Sequence, residues 1–195
     1  MGSILRKVIK GVGQAVALVL TFPWAVLTAF GRFKGGFTFF AQALSLVPSL
    51  PGSYLRVAYY SMTLRCCALE SHIAIGSFFA DPRASVGHQV FIGPLCVLGR
   101  TNIGDRTQIA AGVQILSGRR QHGRGQGGRI EGAEHGIFEV VSIGSDCWIG
   151  AGAIVMAEVG KGSTIGAGAV VTRPIPPHST AVGNPAKVIK DSVES

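Results

Sequence analysis

The stretch Ile143-Gly144-Ser145-Asp146-Cys147-Trp148-Ile149-Gly150-Ala151-Gly152-Ala153 repeats an aliphatic residue followed by glycine at an interval of six positions. An aliphatic residue beside a small one recurs, mostly at the same interval, at Val86-Gly87, Ile92-Gly93, Leu98-Gly99, Ile103-Gly104, Ile109-Ala110 and Ile165-Gly166, and an aliphatic residue returns at Val171. A period of six fits neither an α-helix, with about 3.6 residues per turn, nor a strand, with about 2. The repeating unit is therefore a short strand followed by a turn.

Each unit buries one aliphatic side chain, and a single unit cannot shield that side chain from water. The glycine or alanine beside it stands at a corner, where a Cβ atom would crowd the backbone or where the backbone dihedral favours glycine. Three units close a triangular coil, and successive coils pair strand with strand. The sequence therefore predicts an all-β chain, a parallel β-helix of hexapeptide repeats with an aliphatic interior.

Three segments resemble the C-terminal half of the hexapeptide-repeat O-acyltransferases, a family that includes galactoside, maltose, serine and xenobiotic acetyltransferases. These segments are the opening stretch 143–153, Ile165-Gly166-Ala167-Gly168-Ala169-Val170-Val171-Thr172-Arg173, and Gly183-Asn184-Pro185-Ala186-Lys187-Val188-Ile189. The resemblance covers roughly residues 72–190. It implies a left-handed parallel β-helix, a homotrimer, and acetyl-CoA as the acyl donor, with no metal.

The expected organisation follows from where the repeat begins and ends. Apolar helices are predicted over 1–52, a capping or linker helix over 53–70, the β-helix over 71–190 with a short helix at its C-terminal end, and a tail over 191–195. A chain of 195 residues is long enough for one domain with a sizeable core and a modest extra segment. Its 28 glycines suit a fold in which every coil needs tight corners.

The chain is basic, with a formal net charge of +8. Such a charge fits nucleic acid, an anionic membrane surface or a phosphorylated small molecule as the partner. The sequence contains no groove-reading motif and no aromatic stacking platform, so nucleic acid is not expected. Four cysteines, Cys66, Cys67, Cys96 and Cys147, lack CxxC spacing, and no secretory cleavage pattern is present, which favours buried, reduced thiols in a cytosolic setting.

The N-terminal segment is apolar and carries no charged residue from Gly11 to Gly31. It is long enough to cross a bilayer, but Pro23 interrupts it, and a second apolar piece, Phe37–Leu50, is too short to span. Cations flank the first piece at Arg6, Lys7, Lys10, Arg32 and Lys34. This pattern favours helices lying in the cytoplasmic leaflet of the inner or plasma membrane, held by apolar burial and by anionic lipid. A true span and a soluble helix pair packed on the β-helix remain alternatives.

A short linker is predicted at Pro48–Gly52, followed by an aromatic and basic stretch with helical spacing, Tyr54–Tyr60. A helix there would cap the open first coil, since an uncapped β-helix leaves unpaired strand edges. Tyr54, Arg56 and Tyr60 would also suit a membrane interface.

The sixfold pattern stops after Ile115 and returns near Val141. The intervening Ser117–Glu139 holds four arginines, two histidines and seven glycines. A cationic, glycine-rich insertion of this kind cannot be core, so we expect it to project from the β-helix as a loop at 117–139.

In the family that the chain resembles, such a loop carries the catalytic histidine into the cleft between two subunits. The matching residue is His122, which as a neutral imidazole would take the proton from an attacking hydroxyl. His135 and His88 are the alternatives, whereas His72 and His178 are expected to have no role. Of the loop arginines, Arg119, Arg120 and Arg124 either keep the loop soluble or bind an anionic acceptor.

The resemblance also implies a set of donor-binding residues. Trp148 would lie beside the cleft, and alternatively would pack at a subunit interface. Small residues would lie along the pantetheine arm, and cations near the nucleotide phosphates. The remaining members of this set are Ala151, Ala167, Thr172, Arg173, Lys187 and Lys190.

These features together predict a membrane-associated O-acetyltransferase that moves acetyl from acetyl-CoA to a hydroxyl of a glycan, such as a lipid-linked sugar or a polysaccharide precursor. Two other classes stay open. One is a non-enzymatic β-helix scaffold at the membrane. The other is a metal hydratase resembling the γ-class carbonic anhydrases, which needs three histidines on a metal.

Overall fold

Three helices precede a stack of short strands in the computed structural model, which describes residues 2–119, 121–123, 125–132 and 136–191. The helices are α1 (Gly2–Leu27), α2 (Lys34–Ser45) and α3 (Ser49–Thr63). The strands are β1 (Cys66–Cys67), β2 (His72–Ile73), β3 (Phe78–Phe79), β4 (Ser85–Val86), β5 (Phe91–Ile92), β6 (Val97–Leu98), β7 (Thr101–Ile103), β8 (Gln108–Ile109), β9 (Gln114–Ile115), β10 (Val141–Ile143), β11 (Trp148–Ile149), β12 (Ile154–Val155), β13 (Thr164–Ile165), β14 (Val170–Val171), β15 (Ser179–Val182) and β16 (Lys187–Asp191).

The strands wind into a prism of about six coils with three faces. The first face contains β1, β4, β7 and β10 and continues through Val159 and Ile175. The second face runs from β2 through β5, β8, β11 and β13 to β15 and β16, and the third contains β3, β6, β9, β12 and β14. Pairing is parallel and in register from coil to coil, with Ile149 beside Ile109 on one side and Ile165 on the other.

The interior of the prism confirms the fold that the repeat predicts. Ile92, Ile109, Ile149 and Ile165 have no exposed surface, because each coil covers the aliphatic layer of its neighbour. The small residues at the corners have the two expected roles, avoiding a clash with the next coil and allowing a left-handed backbone, but at different positions. A Cβ on Gly150 would lie 2.5 Å from the backbone N of Ala167, whereas Gly152 has open space around it but a φ of +67°.

Helix α3 covers the open end of the first coil. Tyr60 is buried, its hydroxyl accepts a hydrogen bond from the backbone N of Phe79 at 3.2 Å, and the two rings meet edge to face at 5.0 Å. Burial raises the pKa of Tyr59 to about 12, because the charged phenolate is disfavoured away from water. Tyr59 and Tyr60 are therefore part of the core.

Arg56 of α3 is wholly buried without a carboxylate partner among the described residues. Its guanidinium donates to the carbonyl oxygens of Leu44 at 2.9 Å, Val47 at 2.7 Å and Ile73 at 2.9 Å. The first two lie at the C-terminal end of α2, where a cation is favoured by the helix dipole. The suggestion that Arg56 and Tyr60 suit a membrane interface is therefore wrong, because both side chains lie inside the protein.

The N-terminal boundaries differ from the expected ones. Helix α3 begins at Ser49, so the predicted linker Pro48–Gly52 is mostly helical. The helix tolerates Pro51 because the first turn has no intrahelical use for an N–H group. Helix α1 likewise runs through Pro23 without ending there, and the first strand of the prism is Cys66–Cys67, ahead of residue 71.

The C-terminal segment is a strand, and the predicted short helix is wrong. Strand β16 pairs antiparallel with β15, with Val182 opposite Lys187. The chain reverses after Gly183, whose φ of +94° lies in the region that favours glycine. The reversal lets β16 cover the edge of the second face that would otherwise be left unpaired.

The thiols are free and mostly inside, as expected, with one exception. Cys67, Cys96 and Cys147 are buried, whereas Cys66 is exposed on the first strand. Burial, and to a smaller extent the charge interaction with the neighbouring Cys66, raises the pKa of Cys67 to about 12. The buried thiols are therefore protonated and inert at neutral pH.

Helix α1 presents an apolar surface to the outside. Within the described residues one helical segment, Val8–Leu27, is long and apolar enough to cross a bilayer, with a mean hydropathy of 1.4 and 22% of it buried. Its exposed large apolar side chains are Val8, Ile9, Val12, Val16, Val19, Leu20, Phe22, Val26 and Leu27.

Candidate active site

The insertion after β9 leaves the prism at the corner between the third and first faces, which we call the loop corner. Its two ends meet at the base, where the backbone N of Glu139 donates to the carbonyl oxygen of Ser117 at 3.0 Å. Arg100, one coil earlier, donates to the carbonyl oxygen of Phe138 at 2.7 Å, and its guanidinium lies 5.7 Å from the centre of the Phe138 ring. The loop is thus held against the preceding coil at its base.

Asp81 extends this anchorage to the first coil. Its carboxylate accepts hydrogen bonds from Arg83 at 2.9 and 2.7 Å and pairs with Arg100 at 3.3 Å. Burial by itself would raise the pKa of Asp81, but the hydrogen bonds and charge of Arg83, with the charge of Arg100, outweigh burial and lower it to about 2. The carboxylate is therefore ionised throughout the neutral range.

His122 stands on the exposed outer part of the loop. Its Nδ1 lies 3.2 Å from the carbonyl oxygen of Glu131. Backbone hydrogen bonds from Glu131 to Gly123 and from Gly125 to Arg129, each 3.0 Å, hold the two sides of this turn together. Because a carbonyl oxygen only accepts hydrogen bonds, the proton of the neutral ring belongs on Nδ1, and Nε2 keeps its lone pair.

Two hollows lie on either side of the loop base. One, of 320 Å³, is lined by Lys34, Asp81, Arg83, Arg100 and Gln121, among others, and we call it the loop cleft. The other, of 230 Å³, is lined by residues that include Arg119, Glu139, Glu158 and Thr172. The structure thus brings two predicted site residues together, Arg119 and Thr172. Arg120 and Arg124, the other predicted acceptor ligands, lie outside the described residues.

Most of the remaining predicted donor residues lie on other parts of the prism. Trp148 projects from the second face with 60% of its surface exposed. Ala151 and Ala167 are exposed at the corner between the second and third faces, stacked one coil apart, with the backbone N of Gly168 donating to Ala151 at 2.8 Å.

The cationic members of the donor set are divided between two edges. Lys187 and Lys190 are exposed on β16, at the end of the second face. Arg173 is exposed beside Thr172 at the loop corner. Within one chain, the third face therefore separates the loop corner from the corner that carries the alanines.

His72 has a structural environment. Its Nδ1 lies 3.0 Å from the Ser53 hydroxyl, and its ring stacks on Phe91 at 5.1 Å. Burial, followed by the charges of Arg56 and Lys10, lowers its pKa. The side chain therefore joins α3 to the second face.

His88 and His178 lie away from the loop, at the corner between the first and second faces. His88 is exposed, with Nδ1 3.3 Å from a carboxylate oxygen of Glu70. His178 occupies a corner with a φ of +58°, and its ring fills the space beside Gly162. His135 lies outside the described residues. Over the part of the chain that the structure describes, no group of three His, Cys, Asp or Glu side chains could hold a metal ion.

Residues 140–173 match the family described as the hexapeptide repeat of succinyl-transferase. This segment spans coils four and five of the prism, next to the loop. The chain therefore carries the hexapeptide repeat over this segment. The match confirms the period of six from which the fold was predicted.

The chain is similar in sequence to Nodulation protein L of Rhizobium leguminosarum bv. viciae, with 45% identity over 108 residues. The alignment covers 53% of this chain, and this chain spans about half, 55%, of that relative's length. Among solved structures it resembles a maltose O-acetyltransferase from Clostridium difficile 630, with a TM-score of 0.68 and 25% identity, over 87% of this chain and 89% of the other.

A galactoside acetyltransferase in complex with coenzyme A has the same fold. Its TM-score is 0.63 with 20% identity, and the superposition covers 81% of this chain and 82% of the other. The chain thus has the overall fold of these two acetyltransferases.

The residues that anchor the loop were not among those singled out in the sequence. Asp81 and Arg100 look unrelated along the chain, but they are separated by 19 positions, which is close to the length of one coil. Once the coil length is known, an acidic and a basic residue at the same corner of adjacent coils predict an ion pair.

Proposed function

We propose that the protein is an acyltransferase that moves an acetyl group from acetyl-CoA to a hydroxyl of a glycan, with His122 as the general base. The observation that carries this proposal is the contact between Nδ1 of His122 and the carbonyl oxygen of Glu131. A histidine oriented in this way exposes Nε2 as a hydrogen-bond acceptor, which is what abstraction of a hydroxyl proton requires.

The reaction balances with one histidine. Nε2 takes the proton of the acceptor hydroxyl while the hydroxyl oxygen bonds to the thioester carbonyl carbon, which gives a tetrahedral oxyanion. When the carbon–sulfur bond breaks, the thiolate of coenzyme A takes the proton from the imidazolium. The products are the acetyl ester and free coenzyme A, and the histidine is again neutral.

The likeness to the maltose O-acetyltransferase supports an oxygen acceptor, and the coenzyme A complex of the galactoside acetyltransferase supports the donor. In this chain, Ala151 and Ala167 expose a flat, small-residue edge that suits the pantetheine arm. Lys187 and Lys190 offer cations near that edge for the phosphates of coenzyme A. We assign Trp148 to the same donor edge, whereas Thr172 and Arg173, which lie at the loop corner, would contact the donor bound to a neighbouring copy.

A homotrimer would complete this site. His122 and the donor edge of one chain lie at different corners of the prism, so the loop of one copy must reach the donor edge of a neighbouring copy. Such a head-to-tail contact joins two different surfaces of identical copies, and it closes a ring of three when successive copies are related by a rotation of about 120°. The exposed Trp148 would lie in the seam between copies.

We further propose that α1 lies in the cytoplasmic leaflet of the inner or plasma membrane. Its exposed aliphatic row supplies apolar area to bury, and Lys10, Arg32 and Lys34 flank it with positive charge that attracts anionic lipid. A membrane location favours a lipid-linked sugar as the acceptor.

Substitution of His122 tests the proposal. His122→Ala is expected to lower acetyl transfer by about a hundredfold or more, the usual contribution of a general base, and to leave the affinity for coenzyme A unchanged. Transfer is measured as release of free thiol from acetyl-CoA in the presence of acceptor sugars, and coenzyme A binding by calorimetry. His88→Ala is the matched control, since this histidine pairs with Glu70 on the prism surface. Wild-type turnover in His122→Ala would remove the residue from the mechanism.

A further inference from the structure

A third pocket, of 440 Å³, lies where the helices meet the first coil of the prism. The turn between α1 and α2 contributes Phe30 and Arg32, and Lys34 follows at the start of α2. Arg65 comes from just beyond α3, and Arg83 from the loop corner of the first coil. We call this the basic pocket.

The basic pocket has an excess of positive charge. Arg32, Lys34 and Arg65 are exposed, and in the described part of the chain none of them takes part in an ion pair. No aspartate or glutamate is among the described residues that line it. Arg83 is paired, but its partner Asp81 is shared with Arg100. Three cations therefore converge without a counter-charge, and such a cluster attracts an anion with several oxygen atoms.

An apolar surface ends at the same pocket. The exposed face of α1 continues through Val26 and Leu27 to Phe30, which lines the pocket and is itself exposed. Phe33, between the two lining cations of the turn, is also exposed. A ligand with an apolar chain next to an anionic group would match both surfaces at once.

The basic pocket also adjoins the loop cleft. Lys34 and Arg83 line both hollows. The loop cleft in turn reaches Gln121, the neighbour of His122. The cations thus lie between the apolar face of α1 and the loop that carries the proposed base.

We propose that the basic pocket binds the phosphate groups of a lipid-linked saccharide acceptor, whose lipid lies along α1 and whose sugar enters the loop cleft. This inference rests on the proposed function, because it concerns the acceptor of that reaction. Arginine suits this task, since its planar guanidinium donates two parallel hydrogen bonds to phosphate oxygens. A phospholipid headgroup would use the same cations but has no sugar to extend into the cleft, so the shared lining of the two hollows favours the saccharide.

Binding of farnesyl diphosphate to the full-length protein in detergent tests the pocket without requiring turnover. We compare the wild type with Arg32→Gln, Lys34→Gln, Arg65→Gln and their triple combination by calorimetry. Each single substitution is expected to raise the Kd about threefold, which corresponds to one exposed charge contact, and the triple to raise it at least tenfold. Lys161→Gln, which removes an equally exposed cation from the opposite part of the prism, is the matched control and should leave the Kd unchanged. Farnesol, which lacks the phosphates, should bind at least tenfold more weakly than the diphosphate.

Three results would overturn the proposal. The first is equal binding of farnesyl diphosphate by the triple variant and the wild type. The second is binding of farnesol as tight as that of the diphosphate. The third is a combination of two observations: the wild type does not bind farnesyl diphosphate, but it sediments with phosphatidylglycerol vesicles and the triple variant does not. That combination would make the pocket a site for phospholipid headgroups.

The same preparations separate this inference from the proposed function. Failure of the wild type to bind coenzyme A or to transfer acetyl to any sugar would remove the acyltransferase. Wild-type transfer to a free sugar together with unaltered diphosphate binding in the triple variant would remove the basic pocket alone. Success of both predicts that attaching a prenyl diphosphate to the sugar lowers its KM. The double substitution Arg32→Gln and Arg65→Gln, at two residues that line the basic pocket and not the loop cleft, should raise that KM without changing transfer to the free sugar.

Discussion

Asp81 has contacts that cross the loop corner from the first coil to the base of the loop. It is a nearly buried carboxylate, and two arginines that approach from adjacent coils satisfy it. One of them, Arg100, also donates to the carbonyl oxygen of Phe138 inside the loop. The position of the loop therefore depends on a charge network that lies outside the loop itself.

Asp81→Asn is expected to destabilise the protein in a pH-dependent way. The folded pKa, about 2, lies below the ordinary value of 3.8, so the ionised carboxylate contributes stability above pH ~4, and this contribution is lost as the pH falls through ~2. The shift corresponds to roughly 2 kcal/mol at neutral pH. Urea unfolding at pH 7 should show this loss, and wild type and variant should converge as the pH approaches 2. Asp146→Asn, which breaks the exposed pair with Arg106, should have a much smaller effect. Equal stability of Asp81→Asn and wild type at pH 7 would contradict the assignment.

Arg56 is also a buried charged residue, but its hydrogen-bond partners among the described residues are backbone carbonyl groups and not an oppositely charged side chain. Desolvation lowers its pKa, while the charge of Tyr60 acts in the opposite direction. Carbonyl groups at the end of α2 supply the acceptors that a carboxylate would otherwise provide. The residue thereby fixes α2, α3 and the second strand of the prism relative to one another.

At the scale of the element, the glycines of the corners have two separate physical roles. Gly150 leaves no space for a Cβ atom against the next coil, whereas Gly152 needs a left-handed backbone in open surroundings. Both belong to the same corner between the second and third faces. A comparison of the two positions separates the cost of crowding from the cost of conformation.

Gly150→Ala is expected to destabilise the protein more than Gly152→Ala. A Cβ at position 150 forces the adjacent coils apart, and such overpacking costs about 2–3 kcal/mol. At position 152 there is space for the Cβ atom, so alanine loses only the free-energy cost of the left-handed conformation, about 1 kcal/mol of stability. The midpoint of urea unfolding measures both, with the wild type as the reference. An equal loss at the two positions would mean that the coils can separate freely.

Helix α3 joins the two halves of the molecule. Its aromatic side chains close the interior of the first coil, and α1 packs along it on the outer side. Helix α3 packs against α2 and the first coil on one side and against α1 on the other. The aliphatic row of α1 faces away from α3 and is therefore exposed. The same arrangement brings Arg32 and Lys34 next to Arg65 and Arg83.

At the scale of the whole molecule, the division of the proposed site between copies has a measurable consequence. His122→Ala and Trp148→Ala should each be nearly inactive as pure trimers. When they are unfolded together and reassembled at random, about a quarter of the seams combine an intact loop with an intact donor edge. Activity should therefore recover to about a quarter of the wild-type value. No recovery above the separate variants would place both residues in the site of a single chain.

Part of the candidate site was predictable from the sequence, and part was not. The end of the repeat at Ile115 marks the loop, and its glycines and arginines indicate a projecting segment. The ion pair between Asp81 and Arg100 was not predicted, because the two residues lie one coil apart in the chain. The basic pocket was not predicted either, since its four cations come from separate parts of the chain.

The sequence by itself determined the prism, because an aliphatic residue every sixth position can be buried only if strands and corners alternate and coils stack in register. The tertiary structure alone decided that Arg56 and Tyr60 are core residues and that the last segment is a strand. It also decided which cations face the loop cleft. The physical reason is range: the repeat acts between near neighbours in the chain, whereas charge pairing, edge coverage and helix packing depend on residues that only the folded coils bring together.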